Sequence, residues 1–262
     1  MKKSLSLILA ILGATAPFMA TAFADDAPSM DLPSVTDEAN KSPWSGGAEL
    51  TANLTTGNTD IKTFGASGEV SLRTLPLTTT LGLGFMQNLT DKVEKAREIK
   101  GHLRTGMNVV NNLDFFAQGT YYQNKFSGID SAMMGEVGLG IYAVNSEVFG
   151  ARVEGGLGYM GENYFPVIIH DNTNDANFIV GTVGVGLRLK LTDVADLTDD
   201  AMWIENLKTT ADWRVTNTAA ITSHLSKAFS IKIAYNIMFR KIPVPTFLDT
   251  DTSTTAALIV KF

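Results

Sequence analysis

His224-Leu225-Ser226 sets a histidine two residues from a serine, and Asn236 follows on the next apolar segment. A neutral imidazole beside a hydroxyl can take its proton, so these residue types would suit nucleophilic hydrolysis of an ester. Against that chemistry, His224 shares the alternating phase of Arg214 and Thr222 and sits beside a turn. We therefore read it as a polar cluster at a strand end and expect no enzymatic activity. His170-Asp171 with Asp175 could hold a divalent ion weakly, but His102, His170 and His224 fall in separate segments without ligand spacing. No metal and no cofactor is expected. The runs Gly155-Gly156-Leu157-Gly158 and Gly181-Thr182-Val183-Gly184 lack the helix that must follow a phosphate-binding loop.

A larger set of charges recurs at alternate positions. Glu49, Glu69, Arg73, Glu98, Lys100, His102, Arg104, Arg152, Glu154, Arg188, Asp212, Arg214, Lys232 and Arg240 each lie opposite an apolar set on the same segment. Such residues cannot face lipid, where a midplane Arg or Lys costs roughly 2–4 kcal/mol. They suit the polar lumen of a barrel, and their mixed signs point to internal ion pairs more than to a one-sign selectivity filter.

The elements that would carry them have a period of two. Ile99, Leu103, Met107 and Val109 alternate with Glu98, Lys100, His102 and Arg104, a pattern that a helix would scatter around its circumference. Similar alternation begins at Trp44 and recurs to the last residue, in about twelve strands separated by turn residues such as Pro76, Asn111-Asn112 and Asn145-Ser146. Tight turns are expected after strands two, four, six and ten, with longer connections after three, five, seven and eleven. Strand nine, around Ala201 to Asn206, has no clear apolar phase, and its facing stays open. Tyr164-Phe165-Pro166-Val167-Ile168-Ile169, within the long connection 161–176, is apolar enough to fold back over the barrel mouth.

The two ends set the location. Lys2 and Lys3, the apolar Leu5 to Ala16, and Ala22-Phe23-Ala24 have the layout of a cleaved signal peptide over residues 1–24. Residues 25–43 are rich in Asp, Pro, Ser and Ala without an apolar period, and read as a disordered periplasmic leader. Its acidic residues lack the alternating spacing of a calcium loop. The chain ends on Leu258, Val260 and Phe262, one face of a strand closed by an aromatic. That pattern fits the C-terminal insertion signal of an outer-membrane barrel, read by the barrel-assembly machinery. There is no cysteine, which removes disulfides and thiol chemistry, and the net charge of −6 argues against nucleic acid.

Residues Trp44-Ser45-Gly46-Gly47-Ala48-Glu49-Leu50, Thr55-Thr56-Gly57-Asn58-Thr59, Asp212-Trp213-Arg214-Val215-Thr216-Asn217 and Leu225-Ser226-Lys227-Ala228-Phe229-Ser230-Ile231-Lys232 carry a resemblance. The chain resembles the salt-induced outer-membrane protein family, a YdiY-like domain of unknown function, from about Trp44 to the C-terminus. The resemblance implies outer-membrane residence and stress-linked expression, and it implies no catalytic residues. The reading is thus an all-β, transmembrane antiparallel β-barrel over residues 44–262, porin-like, in the outer membrane of a Gram-negative envelope. Its partners would be outer-membrane lipid and lipopolysaccharide, and its role a narrow or plugged pore or an envelope-structural one. The alternative is a membrane-embedded lipid hydrolase.

Overall fold

The computed structural model describes residues 43–55, 61–90, 93–110, 112–125, 127–165, 175–245 and 247–262. The signal peptide, nearly all of the leader, the Gly57–Asp60 turn and most of the apolar 164–169 segment lie outside these residues. Twelve strands follow one another: β1 (Trp44–Thr55), β2 (Ile61–Thr74), β3 (Leu77–Thr90), β4 (Val93–Val110), β5 (Leu113–Asn124) and β6 (Ile129–Asn145) form the first half. The second half is β7 (Phe149–Tyr164), β8 (Asp175–Thr192), β9 (Ala195–Asn206), β10 (Trp213–His224), β11 (Phe229–Arg240) and β12 (Thr250–Lys261). Each pairs antiparallel with its chain neighbours, and β1 pairs with β12, so the sheet closes into a barrel. Closure leaves no sheet edge, and backbone hydrogen bonding is completed between strands.

Closure occurs in the register Gly47↔Lys261 to Thr51↔Ala257. At its end Gly46 and Phe262 donate to one another's carbonyls. The connections differ between the two ends. Residues 75–76, 146–148, 193–194 and 225–228 make tight turns at the end that holds both Trp44 and Phe262. In the 193–194 turn the Lys190 ammonium, 2.9 Å away, holds the Asp193 carboxyl below its usual range. The connections at the opposite end after β7, β9 and β11 are longer in sequence, spanning residues 165–174, 207–212 and 241–249.

Two expectations about the strands are corrected. The connection after β3 is not long, because β3 runs to Thr90 and β4 begins at Val93. The charged run Glu94-Lys95 interrupts the apolar period without interrupting the strand. β9 begins at Ala195, well before Ala201, and its facing is now defined. Met202 and Ile204 are buried inside, while Trp203 is exposed outside and stacks on Trp213 with ring centroids 4.7 Å apart.

Period two separates the walls. Leu50, Leu83, Leu103, Leu157, Ile179, Val183, Ile233 and Leu258 are exposed on the outside. Phe116, Met134, Glu136, Arg152, Glu154, Met160 and Val180 are buried within. Inner glycines make room for long side chains that lie across the wall. A side chain at Gly140 would meet the Arg152 guanidinium at 2.3 Å, and one at Gly138 would meet the Phe116 ring at 2.5 Å. On the outer wall Gly119 and Gly135 face each other across β5 and β6, flooring a groove of about 440 Å³ between Leu103 and Leu157.

Candidate functional site

The interior changes character along the strands. From the tight-turn end, the inward positions of β7 read Arg152, Glu154, Gly156, Gly158, Met160, Glu162 and Tyr164. Ions come first, then space, then an apolar side chain, then ions again. Side chains of non-adjacent strands meet here, which is possible only through the bore.

The lower network joins β4, β5, β6 and β7. Arg104 Nη2 donates to Glu154 Oε2 at 2.8 Å, and its guanidinium lies 3.9 Å from the centre of the Phe116 ring. Arg152 Nη2 donates to Asp114 Oδ2 at 2.9 Å and to Glu154 Oε2 at 3.1 Å, and Nη1 donates to Tyr142 Oη at 2.7 Å. Above it Gln118 and Thr182 donate to the two oxygens of Glu136 at 3.2 and 2.9 Å. Buried charges persist when neutralised and hydrogen-bonded, as Arg104, Arg152, Asp114 and Glu154 are, while Glu136 is held by hydrogen bonds from neutral side chains.

The next layer is apolar. Tyr122, Ile129, Met134, Met160, Phe178, Val180, Met202 and Ile204 form one buried cluster inside the barrel. Alternation alone did not reveal it, because these residues occupy the face that carries charges elsewhere on the same strands.

The loop-end mouth is closed by a second ion cluster. Arg214 Nη1 and Arg240 Nη2 both donate to the buried Glu162 carboxylate, Arg240 at 2.9 Å, and Tyr164 Oη donates to its Oε2 at 2.7 Å. Asp212 lies 3.8 Å from Arg214 and 4.0 Å from Arg240, so two cations face two carboxylates. The 241–249 loop covers this cluster, with Val244 buried against the mouth. Between them remains a void of about 10 Å³ lined by Ser127, Ile129, Arg214, Arg240, Val244 and Asp251, about the room one water needs. The covering segment seen is therefore 241–249. Of the expected 164–169 cap, Tyr164 bonds into the cluster and Phe165 N donates to Gly128 O at 3.1 Å.

The remaining charges are spread along the bore, Glu98 level with Asn124 and Lys100 with Tyr122 toward the loop end. Lys232 Nζ donates to Glu49, His102 Nε2 lies 3.4 Å from Glu69, and Glu98 is buried on β4. Lys100 lies across Gly84, Arg188 is half-buried beside Gly150, and Arg73 is exposed at the rim. Glu162, Asp114, Glu136 and Tyr122 were missed by the sequence reading. Glu162 shares the phase of Arg152 and Glu154, and extending strand seven past Tyr159 would have found it.

The geometry for a His224–Ser226–Asn236 hydrolase does not form. Ser226 lies in the 225–228 turn, where its hydroxyl accepts from Ala228 N and Phe229 N at 3.2 and 3.1 Å. Asn236 instead bonds Thr218 and Ser253. His224 Nδ1 is 2.9 Å from Ser230 Oγ and Nε2 is 2.8 Å from Asp196 Oδ2. That row has the composition of a nucleophile relay. However, Ser230 is buried, and both neighbours of β11 tie its backbone into the ladder, so no free N–H pair is at hand to stabilise an oxyanion. Asp175 is exposed at the start of β8, while His170 and Asp171 lie outside the described residues.

The barrel can be set beside solved structures. It is similar to the translocator domain of the autotransporter NalP from Neisseria meningitidis, at 16% identity over 86% of this chain and 90% of that one, with a TM-score of 0.48. The NanC porin matches at 8% identity over 83% and 97%, with a TM-score of 0.45. A monoaromatic hydrocarbon channel, CymD, matches at 6% identity over 93% and 94%, with a TM-score of 0.41. At these values the likenesses carry no functional information. No curated protein matches the chain. A family model matches residues 48–262, which span β1 to the C-terminus. The chain belongs to the family described as "Protein of unknown function, DUF481".

Proposed function

We propose that this protein is an outer-membrane β-barrel whose bore is plugged by its own side chains, with an envelope-structural role in place of bulk transport. The observation that carries this is the inaccessibility of the inward residues in the loop half. Val180 is 0% exposed, Met160 1% and Met202 2%. A water-filled channel of the porin kind would leave such positions wet. The tight-turn half is mixed: Arg152, Glu154, Asp114 and Phe116 are buried, while Glu69, Lys232, His224 and Asp196 keep part of their side chains accessible. The interior thus keeps a blind polar vestibule on the side of β2, β9, β10 and β11, entered from the end that holds Trp44 and Phe262.

Membrane placement is supported by the outer wall. Leu83 is 63% exposed and Leu157 61%, and similar residues continue round the barrel. A soluble protein rarely exposes a continuous apolar belt, whereas a barrel in lipid requires one. The residues over 1–24 and the strand ending in Phe262 support export and insertion. The resemblance to salt-induced proteins adds that expression rises with external salt, which immunoblotting of cells shifted to high salt checks.

The test is a liposome-swelling assay with the refolded barrel and small sugars. No swelling above empty liposomes is expected; swelling that falls off with sugar size would overturn the plugged reading.

A further inference from the structure

We propose that two copies of this chain meet through the outer wall of β9 and β10, with Asp199 and Asn217 at the centre of the contact. The argument rests on the membrane placement above and goes beyond it. Among the described residues, Asp199 is the one charged side chain on the outer wall between the tight turns and the Trp203–Trp213 stack. It lies on the face that also carries Leu197, Ala201 and Trp203, while Asp196 and Asp200 point inward. A carboxylate on a lipid-facing wall destabilises a barrel, so an ionisable group there marks a contact.

Its surroundings indicate what covers it. Asn217 Nδ2 donates to Asp199 Oδ1 at 2.6 Å and reaches the Asp200 carbonyl at 3.3 Å. The register pairs Asp199 with Ala219 and Ala201 with Asn217. The patch therefore sets an acceptor-only group diagonally beside an amide that donates and accepts, with alanines at the other two corners. Such a patch is complementary to itself. A twofold axis parallel to the barrel axis brings each Asp199 toward Asn217 of the partner subunit, and the alanines let the walls approach closely. A lipid acyl chain offers no donor to the carboxylate. The outer groove at Gly119 and Gly135 has no polar centre of this kind, so it is the natural comparison site.

The chain has no cysteine, so single cysteines report without background. Ala201→Cys and Gly135→Cys are refolded into vesicles of outer-membrane lipid, floated on a density gradient and oxidised. We expect a dimer band for Ala201→Cys and none for Gly135→Cys. Adding Asp199→Leu to Ala201→Cys is expected to lower the dimer at least tenfold, with heat-modifiable migration unchanged. Absence of dimer at Ala201→Cys, equal dimer at both positions, or dimer indifferent to Asp199→Leu would each overturn the proposal. Failure of the wild-type chain to float with the vesicles would instead remove the membrane placement on which it rests.

Discussion

Gly46 and Phe262 exchange a pair of backbone hydrogen bonds, 3.0 Å in each direction, which locks the end of β12 to the start of β1. The Phe262 ring lies over Gly46, where a Cβ would meet it at 2.8 Å. The last residue is thus seated on the one residue type that leaves space for it. Gly46→Val should displace the ring or the strand end, at an overpacking cost of about 1–3 kcal/mol. Gly68→Ala is the control, since its Cβ would meet nothing nearer than 3.6 Å. The expected outcome is a lower urea midpoint for Gly46→Val and little change for Gly68→Ala.

Phe262→Ala keeps the backbone exchange and removes the ring. If closure depends on that ring, refolding into vesicles should slow while the folded band still forms. Time courses of heat-modifiable migration measure this. A rate equal to wild type would show that the ring serves only the outer surface.

Arg152 stands between Asp114 and Glu154, all three buried. Arg152→Ala leaves the buried Asp114 carboxylate without its cation, while Glu154 keeps Arg104, a loss of about 3–5 kcal/mol for a broken buried pair. Replacing Arg152 and Asp114 together with leucine or methionine, with Glu154 left paired to Arg104, should recover much of that loss. Urea unfolding of the single and double variants separates a stabilising pair from one retained for its charge.

His224→Ala removes hydrogen bonds to Ser230 and Asp196 and should cost about 1–2 kcal/mol of stability. Lipase activity of the purified protein is expected to be absent before and after the change. Activity present in the wild type and lost in the variant would establish the hydrolase that the His224–Ser226 spacing first suggested.

Much of this architecture was legible in the residue order. Ile99, Leu103 and Met107 against Glu98, Lys100 and His102 announce a strand with one apolar wall, and repetition of that pattern yields a closed barrel. What alternation could not convey is that Met160, Phe178 and Met202 are apolar on the inward face. A side chain's partner across the bore comes from distant sequence, and no local period records it. For the same reason Arg214 and Arg240 were identifiable as interior charges, while their convergence on Glu162 was not. β9 resisted a facing because Asp196, Thr198 and Asp200 share their side with Met202 and Ile204, while Asp199 shares the other side with Leu197 and Trp203. Neither wall of that strand is uniform in polarity.

A bore sealed by the Met160–Val180–Met202 layer beneath the Arg214–Glu162–Arg240 cluster should pass no ions. Single-channel recording across a planar bilayer tests it most directly, with wild type beside a Met160→Gly, Met202→Gly, Glu162→Ala variant. A silent wild type and discrete conductance steps in the variant are expected. Steady, well-resolved steps from the wild-type barrel would contradict it.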